Sequence, residues 1–362
     1  MKFMIKMKKS SIFLMAAVLL MVAVSCNKDD IDEKEQPKIT KGLYVLNEGL
    51  FSQNNTTLTF YNASNNTAST DIFATSNGSG LGDTGNDLII YGSKIYIVMN
   101  GSSYVQISSA ATAKSLQKIE FKTNAGAPRL PRYALPYKNK VLVSSYDGTV
   151  AVIDTTSLQV EKFITVGANP EMMAIAGDKL FVSNSGGFNP VPDSTVSVVD
   201  LVTMTETRKI TVGVNPGGIA ADEAGNVYVA CTGNYSTIKP SLVKFSSSTG
   251  TIIKKADTTV GKIRYYNGQL FVTGGYLGVN NVRALNTTDF KQVSPNFVTD
   301  GTVIVSPYGL YIDDATGDVF VTDAKNYTST GEVFCFDKTG KKKYSFSVNP
   351  GVNPNSLAIW KE

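Results

Sequence analysis

The chain has 362 residues, 42% of them hydrophobic and 18% charged, with 34 bases, 30 acids and no histidine. Without imidazole there is no Ser-His-Asp or Cys-His nucleophile and no histidine-ligated zinc, haem or cobalt. Lys2, Lys6, Lys8 and Lys9 account for the basic excess; beyond residue 25 the chain has 30 bases against 30 acids, so charge gives no case for nucleic acid.

Residues 1–25 read as a signal peptide: a basic head precedes an apolar run over residues 12–24 that is too short to span a bilayer. The run ends Ala23-Val24-Ser25-Cys26, which resembles the lipobox of bacterial lipoproteins. Lipidation of Cys26 is therefore expected, and several acyl chains make a stable anchor. The alternative is an ordinary secretory signal cut near Ser25, with Cys26 incidental. Residues 26–41 are charged and nearly free of apolar side chains, the composition of a disordered tether. Asp29, Asp30, Asp32 and Glu33 resemble the acidic tag that carries some Gram-negative lipoproteins to the outer face, which implies an outer-membrane, surface-exposed protein.

From residue 42 onward one phrase recurs: a Gly/Asn/Pro turn, a short small-residue strand, a second turn, then a strand of the type Leu-Phe-Val-Ser. It is clearest at Asn169-Pro170 with Leu180-Phe181-Val182-Ser183, and at Asn215-Pro216 with Val227-Tyr228-Val229-Ala230. Copies start near residues 84, 128, 170, 216, 261, 307 and 354. A period of about 45 residues with four strand signals is that of a propeller blade. The unit starting at Pro354 is cut short, and the segments 42–47 and 57–61 supply its missing strands. The expected fold is all-β: residues 42–362 form a seven-bladed β-propeller whose last blade is closed by both chain ends, leaving no open edge.

The stretch from Val152-Ile153-Asp154-Thr155 to Gly167-Ala168-Asn169-Pro170 resembles the YncE-like (YVTN) propeller repeat, and Asp222-Glu223-Ala224-Gly225-Asn226-Val227-Tyr228-Val229 is similar to the NHL phrase. Tyr44-Val45-Leu46-Asn47-Glu48-Gly49, taken with Cys26 and its acidic tail, resembles the surface propeller lipoproteins of gut-type Gram-negative bacteria. That group includes the BtuG-like proteins, which capture cobalamin beside a TonB-dependent transporter. The resemblance implies capture of a nutrient, cobalamin first, and its transfer to such a transporter.

Cys231 and Cys335 lie in strand-like runs of different repeats and read as buried free thiols. No calcium or phosphate-loop motif is present, and no cofactor, metal or catalytic group is expected. One aromatic follows each second strand: Phe51, Tyr104, Tyr146, Phe188, Tyr235, Tyr276 and Tyr327, accompanied by amides such as Asn47 and Asn184. Rigid aromatics with amides on one loop-rich face are the composition of a binding surface, although each ring alone could simply pack its loop. At the blade starts Arg129, Arg132, Lys262 and Arg264 add positive charge that could meet a phosphate or carboxylate. The expectation is a non-enzymatic capture protein. The alternatives are a propeller for a glycan, siderophore or partner protein, or a lactonase-like hydrolase using Glu48 or Glu171.

Overall fold

The computed structural model describes residues 39–187, 189–274, 280–294 and 296–362. The signal segment, Cys26, the tether up to residue 38, Phe188 and Tyr276 lie outside them. The first strand already begins at Thr40.

The described residues from Thr40 build seven antiparallel sheets of four strands each, a seven-bladed propeller. Six blades run inner to outer in chain order. Their inner strands are Gly85–Tyr91 (blade 2), Pro131–Tyr137 (blade 3), Pro170–Ala176 (blade 4), Pro216–Ala221 (blade 5), Ile263–Tyr266 (blade 6) and Pro307–Ile312 (blade 7). Blade 1 takes its inner strand, Pro354–Lys361, from the C-terminal end and its outer three, Thr40–Asn47, Thr57–Asn62 and Thr67–Ser69, from the N-terminal end. Leu43 faces Ile359 and Val45 faces Leu357 across the joint.

Burial follows the layers. Second strands are apolar on both faces because a blade packs on either side: in Lys140–Ser145 and Lys179–Asn184 every residue after the lysine is buried. Outermost strands are mostly exposed: Ser115–Glu120 buries Ile119 alone. Aromatic pairs tie neighbouring blades, with Phe181 and Phe245 at 5.6 Å between blades 4 and 5, and Tyr61 stacked on Phe346 at 4.4 Å between blades 1 and 7. Cys231 and Cys335 are buried free thiols, and burial pushes both up to about 12, so they are protonated packing residues.

The phrase Gly-x-Asn-Pro that opens blades 4, 5 and 1 has a separate reason at each position. A Cβ on Gly167 or Gly351 would fall 2.3–2.4 Å from the amides of Asn184 and Asn47, and on Gly213 it would crowd Cys231. Asn169, Asn215 and Asn353 take the left-handed backbone that asparagine tolerates better than most residues. Proline then opens the inner strand, where its missing N–H costs no ladder bond.

Deleting residues 354–362 exposes Thr40–Asn47, buried from Gly42 onward only by its neighbours, as an unpaired apolar edge. The expected result is loss of cooperative thermal unfolding by circular dichroism and elution as aggregate, whereas the full chain elutes as a discrete species.

Candidate functional site

The residues at the axis come from an irregularity shared by the blades. In blade 4, Pro170 pairs with Asn184 and Met173 with Val182, so Glu171 and Met172 together oppose a single residue. The same register shift occurs in blades 1, 2, 3, 5 and 7. A bulge of this kind bends the strand and re-aims its side chains. Register therefore assigns two tiers around the axis, with Gly261 and Lys262 of blade 6 placed by their backbone bonds to Thr273 instead. The first is Asn86, Arg132, Glu171, Gly217, Gly261, Tyr308 and Asn355; the second is Asp87, Tyr133, Met172, Gly218, Lys262, Gly309 and Ser356.

Blades 1 to 4 fill their share of these tiers with a connected polar network. Arg132 donates to Glu171 Oε2 from Nε at 3.1 Å and Nη2 at 3.0 Å, and its Nη1 donates to Asn86 Oδ1. Its guanidinium also lies over the Tyr146 ring at 4.6 Å, and the Tyr146 hydroxyl donates to Glu171 Oε1. Burial acts against the Arg132 charge, but Glu171, Tyr146 and Tyr133 outweigh it and hold the guanidinium protonated. Burial, then the Glu171 charge, pushes the Tyr146 hydroxyl up, so it stays protonated and donates to the carboxylate. Asn355 donates to the Asn86 carbonyl at 2.7 Å, and Asp87 accepts from Ser356 Oγ at 2.8 Å and from the Ala134 N–H at 2.9 Å. Beside this network Tyr308 donates to Glu48, whose carboxyl is raised by burial; the bond from Tyr308 and the charges of Arg132 and Lys262 only partly offset that rise.

Blades 5 and 6 put glycine at Gly217, Gly218 and Gly261, and a cavity of roughly 500 Å³ opens over them on the face that carries the loops. Its walls include Met172, Tyr133, Lys262 and Tyr308, with Tyr235 and Tyr327 at the mouth. The ring of Tyr327 meets that of Tyr308 edge-on at 5.7 Å. A second cavity of roughly 460 Å³, bordered by Arg264, opens where the inner strands end. Between them Asp87, Tyr133, Lys262, Asn355 and Ser356 leave a gap of only about 10 Å³. Among the described residues no group of three or more Cys, Asp or Glu side chains is placed to hold a metal ion.

The structure divides the sequence-derived site residues. Tyr235 and Tyr327 border the cavity and are 60% and 45% exposed. Arg132 lines it with its charge already paired, and Tyr146 stands behind Arg132. Tyr104 is a core residue, 6% exposed, whose hydroxyl donates to the Leu81 carbonyl, and so it does not reach the open face. Asn47 and Asn184 are fully buried at the ends of second strands, where each amide donates to two hydroxyls of the third strand: Thr57 and Thr59, and Thr195 and Ser197. They brace blades rather than meet a ligand. Arg129 pairs with Asp147 and covers Phe163 at 3.9 Å, away from the cavity. Phe51, 80% exposed, is not among the lining residues. Phe188 and Tyr276 lie outside the described residues. Sequence reasoning missed Tyr133, Met172 and Tyr308; the available signal was their place one or two residues after Pro131, Pro170 and Pro307, the prolines that open their inner strands.

Residues 41–349 match the family described as a domain of unknown function, DUF5074. The chain belongs to this family. No curated protein matches its sequence. Among solved structures, a quinoprotein alcohol dehydrogenase-like protein of Bacteroides thetaiotaomicron superposes with a TM-score of 0.64 at 17% identity, over 89% of this chain and 79% of that one. Hydrazine synthase of Kuenenia stuttgartiensis gives 0.58 at 17% identity, over 70% and 76%. The computationally designed Ika8 protein gives 0.57 at 12%, over 90% and 98%. At these identities the likeness is one of fold alone.

Two outcomes follow for this DUF5074 propeller. Arg132→Met leaves the Glu171 carboxylate, 13% exposed, without its cation, and is expected to cost roughly 3–5 kcal/mol in urea unfolding. Glu48 binds a proton more tightly when folded, so its ionisation erodes stability as pH rises above the ordinary carboxylate range. Glu48→Gln keeps an acceptor for Tyr308 and is expected to raise the melting temperature at about pH 7.5 but not at about pH 3.5, where both states are protonated.

Proposed function

We propose that this propeller is a binding protein that holds a small organic ligand in the off-centre cavity over blades 5 and 6. The observation that supports this is the contrast between the two halves of the axis. Blades 1 to 4 close it with mutually satisfied polar side chains, whereas glycines at Gly217, Gly218 and Gly261 keep a ligand-sized space between aromatic walls. The carboxylates that a hydrolase would need are committed: Glu171, in the cavity wall, to Arg132 and Tyr146, and Glu48, which does not line the cavity, to Tyr308. In this reading the protein is not an enzyme. Lipidated Cys26 carries it on the outer membrane, and the cargo passes to a TonB-dependent transporter.

Cobalamin, the cargo implied by the resemblance to BtuG-like proteins, is a second version. A corrin is too broad for a cavity in the lower half of the usual ligand-pocket range, so it would lie across the mouth against Tyr235 and Tyr327.

Gly217→Phe separates the two. Gly217 lines the cavity, a Cβ there meets no atom within 4 Å and the backbone is not left-handed, so a side chain at this position starts into open space without straining the strand. A thermal-shift screen of small metabolites is expected to yield a ligand that stabilises the wild type by about 2.7 kcal/mol at a hundred times its Kd and has no effect on Gly217→Phe. Titration with cyanocobalamin that survives Gly217→Phe but weakens in Tyr235→Ala and Tyr327→Ala would favour the corrinoid. A broad panel without any Gly217-sensitive ligand, and no heat with cyanocobalamin, would overturn both.

A further inference from the structure

We infer that the cavity over blades 5 and 6 takes a compact carboxylic acid with a planar apolar body, its carboxylate on Lys262; this rests on the binding reading above. The charge inventory of the cavity wall supports it. Arg132 and Glu171 neutralise each other, and Lys325, on the blade that carries Tyr327, is bound to Asp323 at 3.3 Å and Glu332 at 2.8 Å. Lys262 is the charged lining residue that, among the described residues, meets only neutral partners: Asn355 Oδ1 at 3.1 Å and the Tyr133 hydroxyl at 3.5 Å. An ammonium has three protons to donate, so one remains for a ligand. The Tyr133 hydroxyl beside it can donate as well.

The nearby acid does not cancel this charge in the way a salt bridge would. Glu48 feels Lys262 and Arg132 electrostatically, but its carboxyl is bonded to Tyr308, and burial favours its neutral form. The second-tier acid Asp87 is occupied by Ser356 and the Ala134 N–H. Of the charged residues that line the cavity, Arg132 and Glu171 pair with each other and Lys262 remains. One ammonium with one hydroxyl matches a monoanionic carboxylate; the three acceptor oxygens and near-double charge of a phosphate exceed what these two donors offer, and the arginine of this wall is already paired with Glu171.

The body of the ligand is set by the other walls. Gly217 and Gly218 offer flat backbone with no side chain, Met172 brings a polarisable thioether, and Tyr308 and Tyr327 stand edge to face. Planar rings gain from such surroundings through aromatic and sulfur contacts. Tyr235 and Tyr327 at the mouth are placed to cover the ring from solvent.

The test compares matched acids and amides by isothermal titration of the full chain: benzoate, phenylacetate and indole-3-acetate against benzamide, phenylacetamide and indole-3-acetamide. The expected result is that at least one acid binds ten times more tightly than its amide, about 1.4 kcal/mol. Lys262→Met should erase that preference, and Gly217→Phe should abolish binding of both. Acid and amide binding equally, yet both sensitive to Gly217→Phe, would overturn the carboxylate inference and leave the cavity reading intact. No binding of either series would also overturn it; the metabolite screen above then decides the cavity reading separately. The acid–amide comparison on the wild type needs no variant, so a folding defect in Lys262→Met does not rescue the idea.

Discussion

The antiparallel pairing of Pro354–Lys361 with Thr40–Asn47 holds the ring shut, and the geometry of the axis depends on it. Each blade buries its faces only against its neighbours, so a gap anywhere would expose two apolar sheets at once. Joining one strand from one chain end to three from the other makes closure part of a hydrogen-bonded sheet. It also places Asn355 and Ser356 in the same axial tiers as residues nearly 270 positions earlier, where they bond Asn86 and Asp87.

With the ring closed, the chain must still decide what stands at the centre. The bulge, present in six of the seven blades, sends two residues of each toward the axis, and the side chains at the axial positions decide whether the space is filled. On one side Arg132, Glu171, Asn86 and Asn355 satisfy one another, as buried polar groups must. On the other side glycine leaves the space empty. At Gly218 a side chain would collide with the Gly261 carbonyl, 2.8 Å from its Cβ, whereas at Gly217 nothing stands in the way. Gly218 is thus required by packing, and the open wall at Gly217 is available to a ligand.

Lys262 also shows how repeat position and local context combine. It occupies the tier that holds Tyr133, Met172 and Ser356 in other blades, yet it lines the cavity and its ammonium donates to Asn355 Oδ1 rather than to a carboxylate. Tyr146 and Tyr104 diverge in a comparable way. Both follow a second strand in sequence, but Tyr104 opens the third strand and turns into the core, while Tyr146 turns to Glu171.

The blade count, the strands and the closure by both chain ends were legible in the sequence, because each blade repeats the same local solution: a turn of Gly, Asn and Pro, then an apolar strand buried on both faces. Those constraints act within a few residues and recur about every 45, so a single chain displays them seven times. Which loop aromatics meet solvent, and that Asn47 and Asn184 are internal braces bonded to hydroxyls of the next strand, depended on which way single side chains turn within a blade. The pairing of Arg132 with Glu171 joins two repeats, and the cavity exists because glycines in two blades happen to adjoin. Only the closed ring brings those positions together, and so the location of the site belongs to the tertiary structure.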